Sequence, residues 1–208
     1  MANSLKNIIL DLGGVLLDID YQKTADAFTA LGYTHFSDMY SQFTADDLFA
    51  DLERGMIREE DFYERMRKAG NSDVSRYEME SAWNRMLLSW RQSSLDFLPA
   101  LSKQYRLFLL SNTNEIHLAA FNKILNEETG RESIDDLFEK AYWSHLVNLR
   151  KPNADIFEFV VSDAGIIPGE TLFIDDSENN IETAARLGFQ TYLLINGERI
   201  EELDYNAF

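Results

Sequence analysis

The hydrophobic residues of the chain are concentrated in five short continuous runs, and turn-forming or polar residues follow each run. The runs occupy residues 8–10, 107–110, 141–143, 172–174 and 192–195. Continuous apolar runs of this length are typical of strands buried on both faces of a parallel sheet. Helical patterns separate the last four runs, at residues 115–125, 153–164 and 178–187. This alternation of strand and helix predicts an α/β fold with a doubly wound parallel sheet.

The stretch between the first run and the second is too long for a single crossover connection. Apolar residues recur there at helical spacing, and strand-like alternation is weak. We therefore predict that residues 18–92 form an inserted helical domain, and that residues 1–17 and 93–208 form the core. Residues 93–104 are predicted to be the helix that returns to the core. Four aromatic residues are predicted to pack inside the insertion: Phe43, Phe49, Tyr63 and Trp83.

Composition narrows the range of partners and of chemistry. The 208 residues include 36 acidic and 19 basic side chains, so the formal net charge is −17. This charge disfavours long-range attraction to nucleic acid or to an anionic membrane, and we expect neither as a partner. No cysteine is present, which excludes disulfides, thiolate nucleophiles and zinc–thiolate sites. Any metal must therefore be held by oxygen ligands or by one of the three histidines.

The apolar runs carry no sign of export or of membrane insertion. The run near the N-terminus is three residues long, which is much shorter than the apolar segment of a signal peptide. The longest aliphatic and aromatic run, residues 107–110, is too short to span a bilayer. We therefore expect a cytoplasmic protein. The sequence gives no signal for an oligomeric state.

Polar residues stand at or just after the carboxyl ends of several predicted strands. Asp11 follows the first run, Ser111 ends the second, and Asp175 and Asp176 follow the fourth. Lys151 lies in the loop before the fourth run. The carboxyl ends of parallel strands meet in one crevice, which is the usual ligand site of such sheets. We therefore expect these side chains to share one site.

These residue types are suited to binding a phosphoryl group and a divalent cation together. Carboxylates are the hard oxygen ligands that magnesium prefers. The hydroxyl of Ser111 and nearby backbone N–H groups can hydrogen bond to phosphoryl oxygens, and Lys151 can neutralise their charge. Asp11 is placed to attack phosphorus, since an aspartyl-phosphate is an established covalent intermediate. The residues therefore predict phosphoryl-transfer chemistry.

Four segments, in chain order, resemble the four motifs of the haloacid dehalogenase (HAD) superfamily: IILDLGGVLLDID, LLSNT, LRKP and FIDDSENN. The resemblance spans residues 8 to about 195. It implies a capped subfamily I phosphatase, with a Rossmann-like core and a mobile helical cap inserted after the first strand. The Asp-Leu-Gly form of the first motif is similar to the branch that includes phosphatases of sugar phosphates such as glucose 1-phosphate. The implied activity is a magnesium-dependent phosphatase of small phosphorylated metabolites.

The resemblance also implies roles for individual residues at the phosphoryl group. Asp11 would be the nucleophile, which carries the phosphoryl group as an aspartyl-phosphate. Ser111 would bind the transferring group with Asn112 beside it, and Lys151 would orient and neutralise the charges. Arg54, in a predicted turn of the insertion, is a further candidate for selecting the substrate.

A second set of implied roles concerns the Mg²⁺ ion. Asp11 would be one ligand, and Asp176 would be the main acidic ligand of the fourth motif. Asp175 would share that task or support it from behind. The backbone carbonyl of Gly13 would be the third protein contact, and this role needs no side chain.

Gly13 is also where the sequence departs from the family pattern. Most phosphatases of the family have a second aspartate there, which protonates the leaving group and later activates water. General acid–base assistance is typically worth about 10²–10⁴ in rate, so substrates with good leaving groups should suffer least from its loss. A water, a cap residue, Asp18 or Asp20 is a candidate substitute.

Three other functions compete with the phosphatase. The departure at Gly13 favours a non-catalytic or regulatory phosphate-binding protein. A phospho-switch of the receiver type uses similar residues, but there the acidic pair comes first and the chain is far shorter. Haloacid dehalogenation on the same fold needs no magnesium, and the pair Asp175 and Asp176 argues against it.

Overall fold

The computed structural model describes residues 5–40, 46–70 and 73–208. Its core is a five-stranded parallel sheet with the strand order β5-β4-β1-β6-β7. The strands of this sheet are β1 (Asn7–Leu10), β4 (Arg106–Ser111), β5 (Lys140–Trp143), β6 (Thr171–Asp175) and β7 (Gln190–Leu193). The sheet confirms the predicted α/β class and its doubly wound parallel topology.

Helices cover both faces of the sheet, which explains why the strands are apolar without alternation. Leu10, Leu109 and Ile174 point to one face, where α6 (Gln92–Leu101) and α7 (Glu115–Thr129) pack. Ile9, Phe108 and Phe173 point to the other face. They pack there with α9 (Ala154–Ala164) and α10 (Glu178–Arg186), while the short helix α8 (Ser144–Val147) follows β5. Two buried layers therefore hold the central strands from both sides.

The insertion leaves and rejoins the core through a pair of short antiparallel strands, β2 (Leu17–Ile19) and β3 (Leu87–Trp90). The sequence pattern did not predict these strands, because three or four residues are too few to show alternation. Between them lie α1 (Tyr21–Ala30), α2 (Phe36–Met39), α3 (Asp47–Glu53), α4 (Glu59–Gly70) and α5 (Arg76–Trp83). The division into a core of residues 1–17 and 93–208 and a cap of residues 18–92 stays a prediction.

Aromatic side chains fill the centre of the insertion. Trp83 is fully buried, with ring centroids at 4.7 Å from Tyr40 and 5.3 Å from Phe49. Phe28 and Phe36 stack with their centroids 4.2 Å apart. The predicted aromatic positions Phe49, Tyr63 and Trp83 are buried; Phe43 lies outside the described residues. Packing of large rings therefore contributes much of what holds these helices together.

The last strand lies two residues earlier than the predicted run at 192–195. β7 pairs with β6 from Leu172↔Gln190 to Asp175↔Leu193, and it ends where its partner ends. Leu194 still donates its backbone N–H to the carbonyl of Asp175. Hydrogen-bonding register, not hydrophobicity, therefore decides the strand boundary. Among the described residues, no helix is both long and apolar enough to cross a membrane.

Candidate active site

The carboxyl edge of the sheet brings the predicted residues around one cavity of about 130 Å³. Asp11 follows β1 and its backbone N–H binds the carbonyl of Ile174, so the chain leaves the sheet beside β6. Ser111 ends β4, and Asp176 follows β6. Together with Lys151, these three residues line one side of the cavity, and we call the four residues the floor.

Lys151 is the centre of the charge network at the floor. It is 1% exposed, and its Nζ lies 2.7 Å from Asp11 Oδ1 and 2.6 Å from Asp175 Oδ2. Burial lowers the pKa of Lys151, but the charges of Asp11 and Asp175 outweigh it, and the net effect raises that pKa. Lys151 is therefore a permanent cation with two fixed carboxylate partners.

The adjacent carboxylates of the fourth motif have different environments. Asp175 is fully buried, and its Oδ1 accepts hydrogen bonds from the backbone N–H of Ser177 at 2.8 Å and from Asn180 Nδ2 at 2.9 Å. Its Oδ2 accepts from Lys151. Asp176 is partly exposed and lines the cavity, which Asp175 does not. Asp175 thus anchors Lys151, while Asp176 borders the cavity in which a ligand would bind.

Three carboxylates come close enough together to hold a cation. One oxygen each of Asp11, Asp175 and Asp176 lies within 4.8 Å of the others. Burial, with the charges of Asp175 and Asp176, raises the pKa of Asp11 to about 8, although Lys151 opposes the shift. Burial and the charge of Asp175 likewise raise the pKa of Asp176 to about 6. Crowded carboxylates of this kind are stabilised by a divalent cation with oxygen ligands, so the donor set fits magnesium.

The turn after β1 is shaped by the floor. Gly14 has φ +67°, and a Cβ there would overlap the carboxylate of Asp176, so glycine is required by conformation and by space. At Gly13, a Cβ would lie 2.9 Å from Cδ1 of Ile19. The place of the family's missing aspartate side chain is thus occupied in part by a methyl group of β2.

The two residues of the second motif make different contacts. Ser111 is 2% exposed, and its hydroxyl makes one long contact, 3.4 Å to the carbonyl of Asn112. The side chain of Asn112 binds the backbone of Lys151 twice, with Nδ2 donating to its carbonyl at 2.8 Å and Oδ1 accepting from its N–H at 2.9 Å. The Asn112 side chain therefore positions Lys151, and its backbone N–H remains the group suited to a phosphoryl oxygen.

Three residues of the insertion also line the cavity, Tyr21, Tyr40 and Glu53, and we call them the roof. Glu53 is 4% exposed, and Arg150 binds its Oε2 through Nε at 2.9 Å and through Nη2 at 2.8 Å. Tyr40 donates its hydroxyl to Glu53 Oε1 at 3.1 Å. Burial, followed by the charges of Asp176 and Glu53, raises the pKa of Tyr21 well above its usual value. The insertion therefore places polar groups at the cavity, although its own centre is aromatic.

The sequence pattern did not mark Glu53 or its partner Arg150 as site residues. It singled out the next residue, Arg54, which pairs with Asp51 at 2.7 Å and does not line the cavity. The turn is docked on the core instead, because Asn148 donates to the carbonyl of Arg54 at 2.7 Å. The one sequence feature that could have indicated Glu53 is its position directly before the Arg54-Gly55 turn.

His117 connects the core to the insertion at the side of the cavity. Its ring stacks on Trp83 with centroids 4.5 Å apart, and Nε2 lies 3.2 Å from the carbonyl of Trp83. Asn114 caps α7 and contacts Nδ1 of His117 at 3.2 Å. Burial lowers the pKa of His117 to about 4. A neutral imidazole with both nitrogens engaged is a linker between the two regions, not a proton carrier.

The two candidate acids at the start of the insertion do not line the cavity. Asp18 accepts from Arg91 Nε at 2.6 Å, beside the strand pair. Asp20 caps α1 by accepting from the backbone N–H of Gln22 at 3.0 Å. Neither carboxylate is positioned to replace the aspartate that the family pattern has at position 13. The Asp18 carboxylate is paired with Arg91, and the Asp20 carboxylate caps α1.

Comparison with known proteins identifies the family of this chain. A family model described as haloacid dehalogenase-like hydrolase matches residues 5–188. The D-ribitol-5-phosphate phosphatase of Bacteroides thetaiotaomicron is 32% identical over 194 residues, which are 93% of each protein.

Two solved structures are similar over nearly their whole length. One is a HAD family enzyme of Bacteroides thetaiotaomicron, an aspartate-to-alanine variant in complex with magnesium and inorganic phosphate. It has a TM-score of 0.87 and 35% identity, over 95% of this chain and 97% of that one. The other, a HAD-like family hydrolase from Porphyromonas gingivalis, has a TM-score of 0.84 and 37% identity over 93% of each chain. The chain therefore belongs to the haloacid dehalogenase-like hydrolase family.

Proposed function

We propose that this chain is a magnesium-dependent phosphatase of small phosphorylated metabolites, and that it acts through an aspartyl-phosphate on Asp11. The observation that carries the proposal is the position of Asp11, which lines the cavity 2.7 Å from the buried ammonium of Lys151 and beside Asp176. A similar curated protein is a sugar-alcohol phosphatase, and a similar solved enzyme binds magnesium and phosphate. Both support the same chemistry here.

The covalent mechanism assigns a task to each residue at the phosphoryl group. A carboxylate oxygen of Asp11 attacks phosphorus, and the bond from phosphorus to the leaving oxygen breaks. Lys151 neutralises the growing charge, while the hydroxyl of Ser111 and the backbone N–H of Asn112 hydrogen bond to phosphoryl oxygens. The leaving oxygen takes a proton from water. A second water then attacks the phosphorus of the aspartyl-phosphate, which releases inorganic phosphate and restores Asp11.

The metal-binding task falls to the three carboxylates and one backbone group. Asp11, Asp176 and the carbonyl of Gly13 would hold Mg²⁺, and Asp175 would fix Lys151 and support the site from behind. When bound, the ion supplies positive charge to the phosphoryl oxygens and to the crowded carboxylates. Gly13 keeps its carbonyl available although it has no side chain.

The proposed substrate is a small phosphorylated metabolite, with sugar and sugar-alcohol phosphates as the first candidates. The proposed location of the protein is the cytoplasm. One observation favours a second candidate function, a regulatory phosphate-binding protein. Gly13 has no acid–base side chain, and Ile19 occupies part of that space. The two functions differ in whether bound phosphate ester is turned over.

A phosphate-release screen separates these functions. The panel contains sugar phosphates, sugar-alcohol phosphates, nucleotides and acetyl phosphate, each assayed with Mg²⁺ and with a chelator. We expect Mg²⁺-dependent release that Asp11→Asn abolishes and that Asp47→Asn, which removes an exposed acid of α3, leaves unchanged. Release that survives Asp11→Asn or metal removal would contradict the mechanism. Binding of phosphate esters without any release would support the regulatory alternative.

A further inference from the structure

Glu53 is a buried carboxylate in the cavity that the proposed phosphoryl chemistry does not use. An ionised carboxylate has about four acceptor positions. Three are filled in Glu53, two on Oε2 by Arg150 and one on Oε1 by Tyr40. The fourth position, on Oε1, has no donor among the described residues, and Glu53 lines the cavity.

Two other residues of the cavity, Arg150 and Tyr21, also carry hydrogen-bonding groups without partners among the described residues. Arg150 has five N–H donors, and two of them bind Glu53. The other three have no partner among the described residues, and neither has the hydroxyl of Tyr21. Three residues that line the cavity thus carry an acceptor, several donors and a hydroxyl that have no partner among the described residues.

The charges of the cavity limit what can bind there. Within the described part of the chain, each cation that lines the cavity is already paired, Lys151 with Asp11 and Asp175 and Arg150 with Glu53. If the leaving group carried a negative charge besides that of the phosphoryl group, this charge would be repelled by the carboxylate of Glu53. No unpaired cation among the described residues of the cavity would balance it. An apolar leaving group would bury the open donors and acceptor without partners, which is costly.

We propose that Glu53, Arg150 and Tyr21 form the subsite for the leaving group, and that this subsite selects a neutral, polyhydroxylated alcohol. The inference rests on the proposed phosphatase function and deepens it. Hydroxyl groups match the subsite because each can donate to Glu53 and accept from Arg150 or Tyr21. A cavity of about 130 Å³ also limits the substrate to a small metabolite.

The decisive comparison uses two substrates that differ only in their hydroxyl groups. D-Ribitol 5-phosphate and n-pentyl phosphate have the same carbon count, and both are primary phosphate esters, so the same kind of bond breaks in each. A site built to bind hydroxyls rejects an analogue without them by up to about 10⁴–10⁵. We expect wild-type kcat/KM to favour the polyol ester by about 100-fold or more.

Two variants assign the preference to the subsite. Glu53→Gln removes the negative charge that pairs with Arg150 and replaces one acceptor oxygen with an NH₂ group, and we expect it to reduce the preference about tenfold or more. Tyr21→Phe removes a hydroxyl that has no partner among the described residues, so it should fold normally and reduce the preference severalfold, mainly through KM. Asp47→Asn, which removes an exposed charge from the same helix as Glu53, should leave the preference unchanged.

The possible failures are distinguishable. Equal turnover of the two esters by the wild type would overturn the subsite while leaving the phosphatase intact. The same holds if 5-aminopentyl phosphate or a bisphosphate of pentane-1,5-diol is preferred, or if both variants lower kcat/KM for both esters equally. The absence of Mg²⁺-dependent release from every ester, and from acetyl phosphate, would overturn the proposed function itself.

Discussion

The floor and the roof line the same cavity but are held in place by different forces. At the floor, Lys151 is locked between two carboxylates at 2.6 and 2.7 Å, and the strand ends of the sheet carry these groups. Behind the roof, helices of the insertion pack through rings such as Trp83, and contacts to the core include the stacked His117, the ion pair of Arg150 with Glu53 and the hydrogen bond from Asn148 to Arg54. Changes at Asp176 should therefore alter chemistry with little effect on stability, whereas changes behind the roof should alter stability first.

The largest expected effect is that of Asp176→Asn at the floor. This carboxylate is partly exposed, whereas its neighbour Asp175 fixes Lys151, so the variant should fold normally. Turnover should fall by about 10³-fold or more, because charge stabilisation by a bound metal is worth several kcal/mol. Steady-state kinetics and thermal denaturation of the variant test both expectations.

The matched control for that prediction is Glu178→Gln, which removes an exposed acid two residues away. It should change neither turnover nor the stabilisation of the protein by Mg²⁺. Full activity of Asp176→Asn would contradict the metal-binding role of this residue.

The next effect concerns the packing behind the roof. Trp83 is fully buried among aromatic rings, and its Nε1 has no hydrogen-bond partner among the described residues. Trp83→Ala should therefore cost packing alone, about 3–5 kcal/mol of unfolding free energy. Urea denaturation measures this cost, and Trp83→Phe should lose less. A loss below 1 kcal/mol for the alanine variant would show that the aromatic cluster is not what holds the insertion.

A smaller effect is expected from acid at the link between the two regions. Burial lowers the pKa of His117 from 6.5 to about 4, so the unfolded chain binds a proton there before the folded protein does. Stability is consequently lost as the pH falls from about 6.5 to about 4, by about 3 kcal/mol for this group. His117→Gln cannot titrate, and its unfolding free energy should fall less steeply than that of the wild type over this range. Parallel pH profiles for the two proteins would contradict the neutral, buried state of His117.

The smallest effect is expected at Gly13, where an acid can be restored. Gly13→Asp meets only the terminal methyl of Ile19, which can rotate away. If proton donation to the leaving group limits the reaction, the variant should hydrolyse alkyl phosphates about tenfold faster and aryl phosphates no faster. Unchanged kcat on alkyl phosphates in a folded variant would contradict the interpretation of the missing acid.

The sequence was sufficient to predict the floor. Asp11, Ser111 and Asp176 each follow a strand that is recognisable by its apolar run, and parallel strand ends converge whatever the details of packing. Lys151 is predictable from its place in the order of motifs. The side-chain direction of Asn112 was not predictable, because it depends on the loop that brings the backbone of Lys151 within hydrogen-bond distance.

The roof and the connections to it were beyond sequence reasoning. Glu53 and Arg150 are 97 positions apart, and only the docking of the insertion on the core makes them partners. The short strands β2 and β3 gain their order from pairing with each other, so neither has a pattern of its own. Local sequence patterns thus identified the cavity residues that lie at strand ends. They missed the cavity residues that only tertiary packing brings together.

The most direct test of the covalent mechanism is to trap the phosphorylated protein. The wild type, mixed with Mg²⁺ and acetyl phosphate and quenched in acid, should yield a peptide containing Asp11 that has gained the mass of one phosphoryl group and loses it in hydroxylamine. Asp11→Asn should yield no such peptide, and Asp176→Asn should yield much less. Turnover of acetyl phosphate by the wild type without any phosphorylated Asp11, under conditions that preserve acyl phosphates, would contradict the central claim.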